Sequence, residues 1–341
     1  MPIYVATLED LNNVRNNLSG EYIQTADIDA SPTSDPESPY YNSGAGWEPI
    51  GIGANPFTGS YDGGGFTVDA LFINRGGSDN IGLFGYVSGT ITELRVTNCD
   101  ITGSSRCGAL AGAADQMSCS ITQCYSSGTV TAATRSGGLI GGVILATGPG
   151  LISGCQSSCD VVVATERAGG LCGQVWAGCI VENCSASGTV QAGSTWIGGL
   201  IGLADGATIR YSQANCSEVS GGNCTGGFIG QLQCTSGSAS IYECSATGTI
   251  SGADQVGGFI GAGTLGHSIS QCSFSGTVSG DQYAGGFIGF EDQGVISESY
   301  ATGSVTGRTD IGGFAGAAKS AGAEELDIDR IVNCYTLCNV T

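Results

Sequence analysis

The side chains best able to do chemistry in this 341-residue chain are sixteen cysteines, one histidine and thirty acidic residues. So many cysteines suggest disulfides or a metal site in a chain without repeats. No Cys-x-x-Cys pair occurs and His267 stands alone, which removes the usual zinc donor sets. The lone histidine also leaves no Ser-His-Asp triad and a single base for a cysteine nucleophile. His267 reads as a turn residue between strands.

The spacing of the cysteines points to a structural role. Cys99, Cys124, Cys155, Cys184, Cys244, Cys272 and Cys334 are assigned to one column, with Ser212 and Ser299 filling its gaps. A free cysteine behaves as a small buried hydrophobe, and serine is its nearest polar substitute, so an inward ladder of reduced thiols is expected. Disulfides between neighbouring rungs are the competing reading, although Cβ vectors pointing the same way would strain them. Cys159, Cys216 and Cys338 fall where other repeats place glycine. Cys107, Cys119, Cys172, Cys179, Cys224 and Cys234 are scattered and could cross-link locally.

Among the charged residues, Glu182, Glu243 and Glu298 precede the cysteine column, alongside Asn98, Gln123, Gln271 and Asn333. An outward polar ladder explains them, and a paired-carboxylate polysaccharide hydrolase is the one enzymatic alternative. Arg106, Arg135 and Arg167 form a candidate basic stripe on a body of net charge −20, suited to sulfate or carboxylate groups of a glycan. Asp27, Asp29 and Asp35 are candidate oxygen ligands for Ca²⁺, outside any EF-hand or nonapeptide pattern. Ranks such as Thr129-x-Thr131 and Thr277-x-Ser279 offer a hydroxyl face, for which cross-strand pairing is the simple account and templating of ordered water the alternative. No catalytic residue, cofactor or metal site is assigned.

What must position these residues is a repeat. A glycine-flanked apolar pair, as in Gly257-Gly258-Phe259-Ile260-Gly261, recurs nine times at intervals of 27 to 32 residues. Such a period marks a stacked-repeat protein. Within residues 257–284 the alternation predicts three strands: around Phe259-Ile260, over Ser268–Cys272 and over Gly276–Ser279. Two β-branched columns follow. One runs Ile91, Ile121, Ile152, Ile180 or Val181, Ile209, Ile241, Ile269, Ile296, Ile331. The other runs Ile101, Val130, Val161, Val190, Val219, Ile250, Val278, Val305, Val340. The predicted fold is all-β, a right-handed parallel β-solenoid (β-helix) of about nine coils over 81–341. Residues 1–80 form an N-terminal cap and irregular first coils, with one short helix capped by Thr7 and Asp10.

The phrase Gly-Gly-Phe-Ile-Gly, followed by Ile-x-x-Cys-x-x-x-Gly-x-Val-x-Gly, resembles the GLUG repeat family. It is best kept at Ile121–Val130 (ITQCYSSGTV) and Ile331–Tyr335 (IVNCY). The leader with Leu8-Glu9-Asp10-Leu11, Asp27-Ile28-Asp29, Trp47-x-Pro49-Ile50-Gly51 and Phe57-Thr58-Gly59 is similar to the segment before such repeats. The resemblance implies a β-solenoid of bacterial surface proteins, adhesins and some phage proteins, with no catalytic residues to carry over.

The acidic balance argues against nucleic-acid binding, and no apolar run is long enough for a membrane span. The chain opens without the basic and apolar regions of a signal peptide. These readings favour a non-enzymatic structural and binding solenoid, first as a phage virion component (tail fibre or capsid decoration) assembled in the host cytoplasm. The alternatives are a bacterial cell-surface adhesin module with its signal peptide removed and a polysaccharide-degrading tailspike. Expected partners are further copies, other virion or surface proteins and a host glycan; the last coil is expected either to be covered by a partner or to continue in a longer sequence.

Overall fold

The computed structural model describes residues 1–115, 119–144, 150–319 and 330–341. Its strands pair in parallel, coil upon coil, as the β-branched columns require. Ile241 registers with Ile269 and Ile269 with Ile296; Val130 registers with Val161 and Val278 with Val305. Val181, rather than Ile180, stands in the first column. One face of the solenoid has twelve strands, beginning with Ile3–Val5 and closing with Ile331–Val332. A second has nine, from Phe84–Val87 to Ala315–Lys319, each beginning within one glycine phrase. The third carries the longest strands, such as Ser273–Ser279.

Each complete later coil holds four strands where alternation predicts three. In the coil that starts at 257 they are Ile260–Thr264, Ser268–Ser270, Ser273–Ser279 and Gln282–Gly285. The fourth escapes a period-two reading because its second residue, Tyr283, takes φ +53 and reverses the alternation. The second strand ends at Ser270 rather than Cys272 because Gln271, at φ +54, turns the chain. In two early coils the last two strands run together, as Arg95–Cys107 and Tyr125–Gly137.

Two columns of left-handed residues therefore make the corners. One holds Glu93, Gln123, Asn183, Tyr211, Glu243, Gln271, Glu298 and Asn333; the other holds Asn80, Arg106, Arg135, Arg167, Trp196, Cys224, Gln255, Tyr283 and Asp310. The left-handed conformation costs an L-residue about 1–2 kcal/mol. Inter-coil hydrogen bonds such as Gln123 N to Ser153 O (2.9 Å) and Arg135 N to Glu166 O (2.8 Å) offset part of that cost.

The glycine phrase sets the approach of one coil to the next. A Cβ on Gly258 would stand 2.1 Å from the Gly286 carbonyl oxygen and 2.2 Å from the Phe274 ring. Because glycine leaves that space, Phe228, Phe259, Phe287 and Phe314 stack inside the coil with ring centroids 4.6, 4.9 and 4.8 Å apart. At the N-terminal end the helix Leu8–Asn13 carries the expected capping box between Thr7 and Asp10 and buries Leu8 and Leu11. Trp47, Phe57, Tyr61 and Phe84 fill the core beneath it.

A methyl group should therefore be tolerated or not according to where it lands. Gly258→Ala should lower stability by about 2 kcal/mol or more, read as a shifted urea midpoint. Gly77→Ala, with nothing within 4 Å of its Cβ, should leave the midpoint nearly unchanged.

Candidate functional site

The cysteines line the inside of the first corner. In-register pairing places Leu94, Cys124, Cys155, Cys184, Ser212, Cys244, Cys272, Ser299 and Cys334 in one column. Each cysteine thiol donates to the carbonyl two residues earlier, as Cys184 Sγ to Glu182 O at 3.2 Å and Cys272 Sγ to Ser270 O at 3.2 Å. The serines make the same bond, Ser212 Oγ to Arg210 O at 2.8 Å and Ser299 Oγ to Ser297 O at 2.8 Å. The column thus selects a small inward donor that satisfies a carbonyl beside each left-handed corner. All sixteen cysteines are free.

Cys99 does not belong to that ladder. A bulge between Ser126 and Gly128 puts Cys99 opposite Gly128 and in line with Cys159. This second column alternates cysteine with glycine through Cys99, Gly128, Cys159, Gly188 and Cys216. The Cys159 thiol across the Gly128 rung, together with burial, pushes the Cys99 thiol up. Burial likewise raises Cys155, Cys172 and Cys184 and pushes Cys107, Cys179, Cys216 and Cys224 up to about 12. These thiols are shielded from attack and stay protonated at neutral pH.

The three arginines do form a continuous stripe. Ser136 pairs with Cys107 and with Ala168, so the left-handed residues before them, Arg106, Arg135 and Arg167, stand on adjacent coils. Trp196 continues the column, and its ring lies 4.7 Å under the Arg167 guanidinium. The stripe is not a bare cationic surface. Arg106 meets Asp79 at 3.7 Å and donates from Nε to Asn80 Oδ1 at 2.6 Å. Glu166 sits 3.8 Å from Arg135 and 3.6 Å from Arg167. Burial pulls the Arg167 guanidinium below its ordinary value, with Glu166 opposing. The Nε atoms of Arg135 and Arg167 are buried and make no hydrogen bond, although Arg135 Nε faces Glu166, and Arg167 Nη1 donates to Gln174 Oε1 at 3.2 Å.

Other expected sites are rearranged. Glu243, Gln271 and Glu298 share the outward corner column, and Gln271 Nε2 donates to Glu298 Oε2 at 3.0 Å. Glu182 lies one position earlier, on a strand, where Arg210 binds it at 2.6 Å. Asn98 lies outside this column too, left-handed within the bulged strand Arg95–Cys107. His267 lies between the strands Ile260–Thr264 and Ser268–Ser270, as expected, but it is buried at 2% exposed, and its Nε2 lies 2.9 Å from Glu291 Oε2 on the next coil. The other oxygen of Glu291 accepts from Gly294 N at 2.6 Å. Sequence periodicity carries no signal of this pair, which forms because the following coil turns Glu291 inward.

Near the N-terminus, Asp27 accepts from Thr67 N at 2.8 Å, Asp29 from Ser31 N at 2.9 Å and Asp35 from Glu37 N at 3.0 Å. These carboxylates hold local backbone and do not converge as a Ca²⁺ cage. Among the described residues no three of His, Cys, Asp and Glu group as a metal site.

Comparison with known proteins supports the repeat. The GLUG motif matches residues 164–191, one coil that includes Arg167 and Cys184, so the resemblance drawn from the sequence holds there. Halomucin of Haloquadratum walsbyi is 37% identical over 142 residues, 40% of this chain and 2% of its own length. A protein of Evansella cellulosilytica, provisionally named a Gly-rich membrane protein, is 39% identical over 118 residues, 33% of this chain and 13% of its own length. The matches thus span a small part of either relative. A crystal structure of a protein from Bacteroides ovatus, provisionally named an immunoglobulin A1 protease, shares the fold. Its TM-score is 0.53 at 16% identity, over 98% of this chain and 84% of that one.

Thiol labelling tests the ladders. In native protein at pH 8, maleimide should react mainly with the half-buried Cys234, Cys334 and Cys338 and spare the buried thiols. In guanidinium all sixteen should react. Cys272→Ser should keep stability within about 1 kcal/mol, since Ser299 already makes the equivalent bond.

Proposed function

We propose that this chain is a non-enzymatic rod segment of a cell-surface protein, with the basic stripe as one of its contact surfaces. The observation that carries the reading is the coil-on-coil register, which local bulges interrupt and which then resumes. It commits the cysteines, glycines and apolar residues to scaffolding, and the lone histidine is locked against Glu291. The names of the relatives, halomucin and a Gly-rich membrane protein, favour surface display over the virion reading. The rod presents a long side wall with few apolar side chains, and its net charge of −20 favours solubility and spacing from neighbours.

At the stripe, the part-exposed guanidinium groups of Arg106, Arg135 and Arg167 on adjacent coils suit a sulfate or carboxylate on a surface glycan. The similarity to a protein provisionally named a protease carries the fold and transfers no chemistry to this chain.

Surface biotinylation of intact source cells should label the protein; recovery solely from the soluble fraction would overturn the localisation. The purified chain should leave immunoglobulin A1 intact and release no reducing ends from polysaccharide, and turnover of either would refute the non-enzymatic reading. An Arg106→Ala, Arg135→Ala, Arg167→Ala triple variant should elute from an immobilised sulfated polysaccharide at lower salt than the parent protein.

A further inference from the structure

The first corner column carries short polar side chains or glycine in every coil but one. At that position Tyr211 takes φ +52, where its neighbours are Asn183 and Glu243. A bulky side chain in this conformation is an outlier that its surroundings must hold in place. Its neighbours Arg210 and Tyr242 are tied together by a chain of bonds across four coils, and the Tyr211 ring packs against both. Ser153 Oγ donates to Glu182 Oε1 at 3.2 Å, and Glu182 holds Arg210 at 2.6 and 2.7 Å. Arg210 donates to the Tyr242 hydroxyl at 2.8 Å. The Tyr242 ring stands edge-on to that of Tyr211 at 5.3 Å and 83°, and the Arg210 guanidinium lies 5.9 Å from the Tyr211 ring. The Tyr211 ring is thus packed against a bonded pair, yet it remains 44% exposed.

The ring forms one wall of a groove of about 440 Å³ whose other walls carry Gln213, Glu243, Ser245, Gln271 and Ser273. A rigid aromatic face beside a short row of amides, hydroxyls and one carboxylate suits a saccharide. The apolar C–H face of a pyranose lies on the ring, while its hydroxyls find donors and acceptors at fixed positions. The charge of the site selects further. Arg210 is already paired with Glu182, whereas Glu243 lines the groove with no cation paired to it among the described ion pairs, so an acidic sugar is repelled and a neutral one is not.

We propose that this groove is a binding site for neutral pyranose saccharides, distinct in position and in charge from the arginine stripe. It does not depend on where the protein is displayed. Calorimetric titration of the purified chain with neutral hexasaccharides of glucose, mannose, galactose and N-acetylglucosamine tests it. At least one should bind with Kd of about 0.1–1 mM. Tyr211→Asn replaces the platform with a residue this corner already uses at Asn183, so the melting temperature should hold or rise. The same substitution should weaken binding by about tenfold or more. Gln271→Ala should weaken it as well, and the triple arginine variant should bind like the parent. The absence of binding by all four sugars at about 10 mM, or full affinity in a folded Tyr211→Asn variant, would overturn the proposal.

Discussion

The closest approach of two backbones governs this molecule. Parallel strands stack at about 4.8 Å, and at the glycine phrase the facing coils leave no room for a methyl group. A Cβ on Gly199 would lie 2.0 Å from the Gly227 carbonyl oxygen, and one on Gly227 would lie 2.1 Å from that of Gly258. Each contact fixes the vertical register of its coil. Once register is fixed, every position in a coil sits above its counterpart, and columns of like residues become possible.

The chemistry of those columns follows from which side of the wall they face. Inside, the phenylalanine stack and the isoleucine and valine ladders supply apolar burial, and the cysteines add a small donor where a corner leaves a carbonyl facing inward. Outside, the same repetition brings like charges together, which costs energy unless it is managed. The arginine stripe is managed by Asp79 and Glu166, and the acidic corner by the bond from Gln271 to Glu298. Departures from the column rule are therefore informative. Tyr211 stands in place of a short polar residue, and Cys99 faces the gap above a glycine.

Much of this was legible in the residue pattern. β-Branched residues alternate across a strand, so the isoleucine and valine columns could be aligned without coordinates, and Arg106, Arg135 and Arg167 fell into one stripe because each precedes a glycine phrase at the same offset. The failures have physical causes. Left-handed residues invert the alternation, which hid the fourth strand at Gln282–Gly285. A bulge displaced Cys99, and the interval of 25 residues from Cys99 to Cys124, shorter than any repeat, was its visible sign. The pairing of His267 with Glu291 left no sign, because burial of a turn residue depends on how the next coil closes over it.

The central claim is that consecutive repeats sit directly upon one another in a single register. It is tested most directly by spin labels introduced as bio-orthogonal residues on the outer wall, at Thr249, Thr277 and Ser304. Thr249 pairs with Thr277 and Thr277 with Ser304. Both adjacent pairs should show strong dipolar broadening, and Thr249 with Ser304, two rungs apart at about 10 Å, should show a weaker coupling. Absent coupling between adjacent rungs, or equal coupling in all three pairs, would contradict the stacked solenoid.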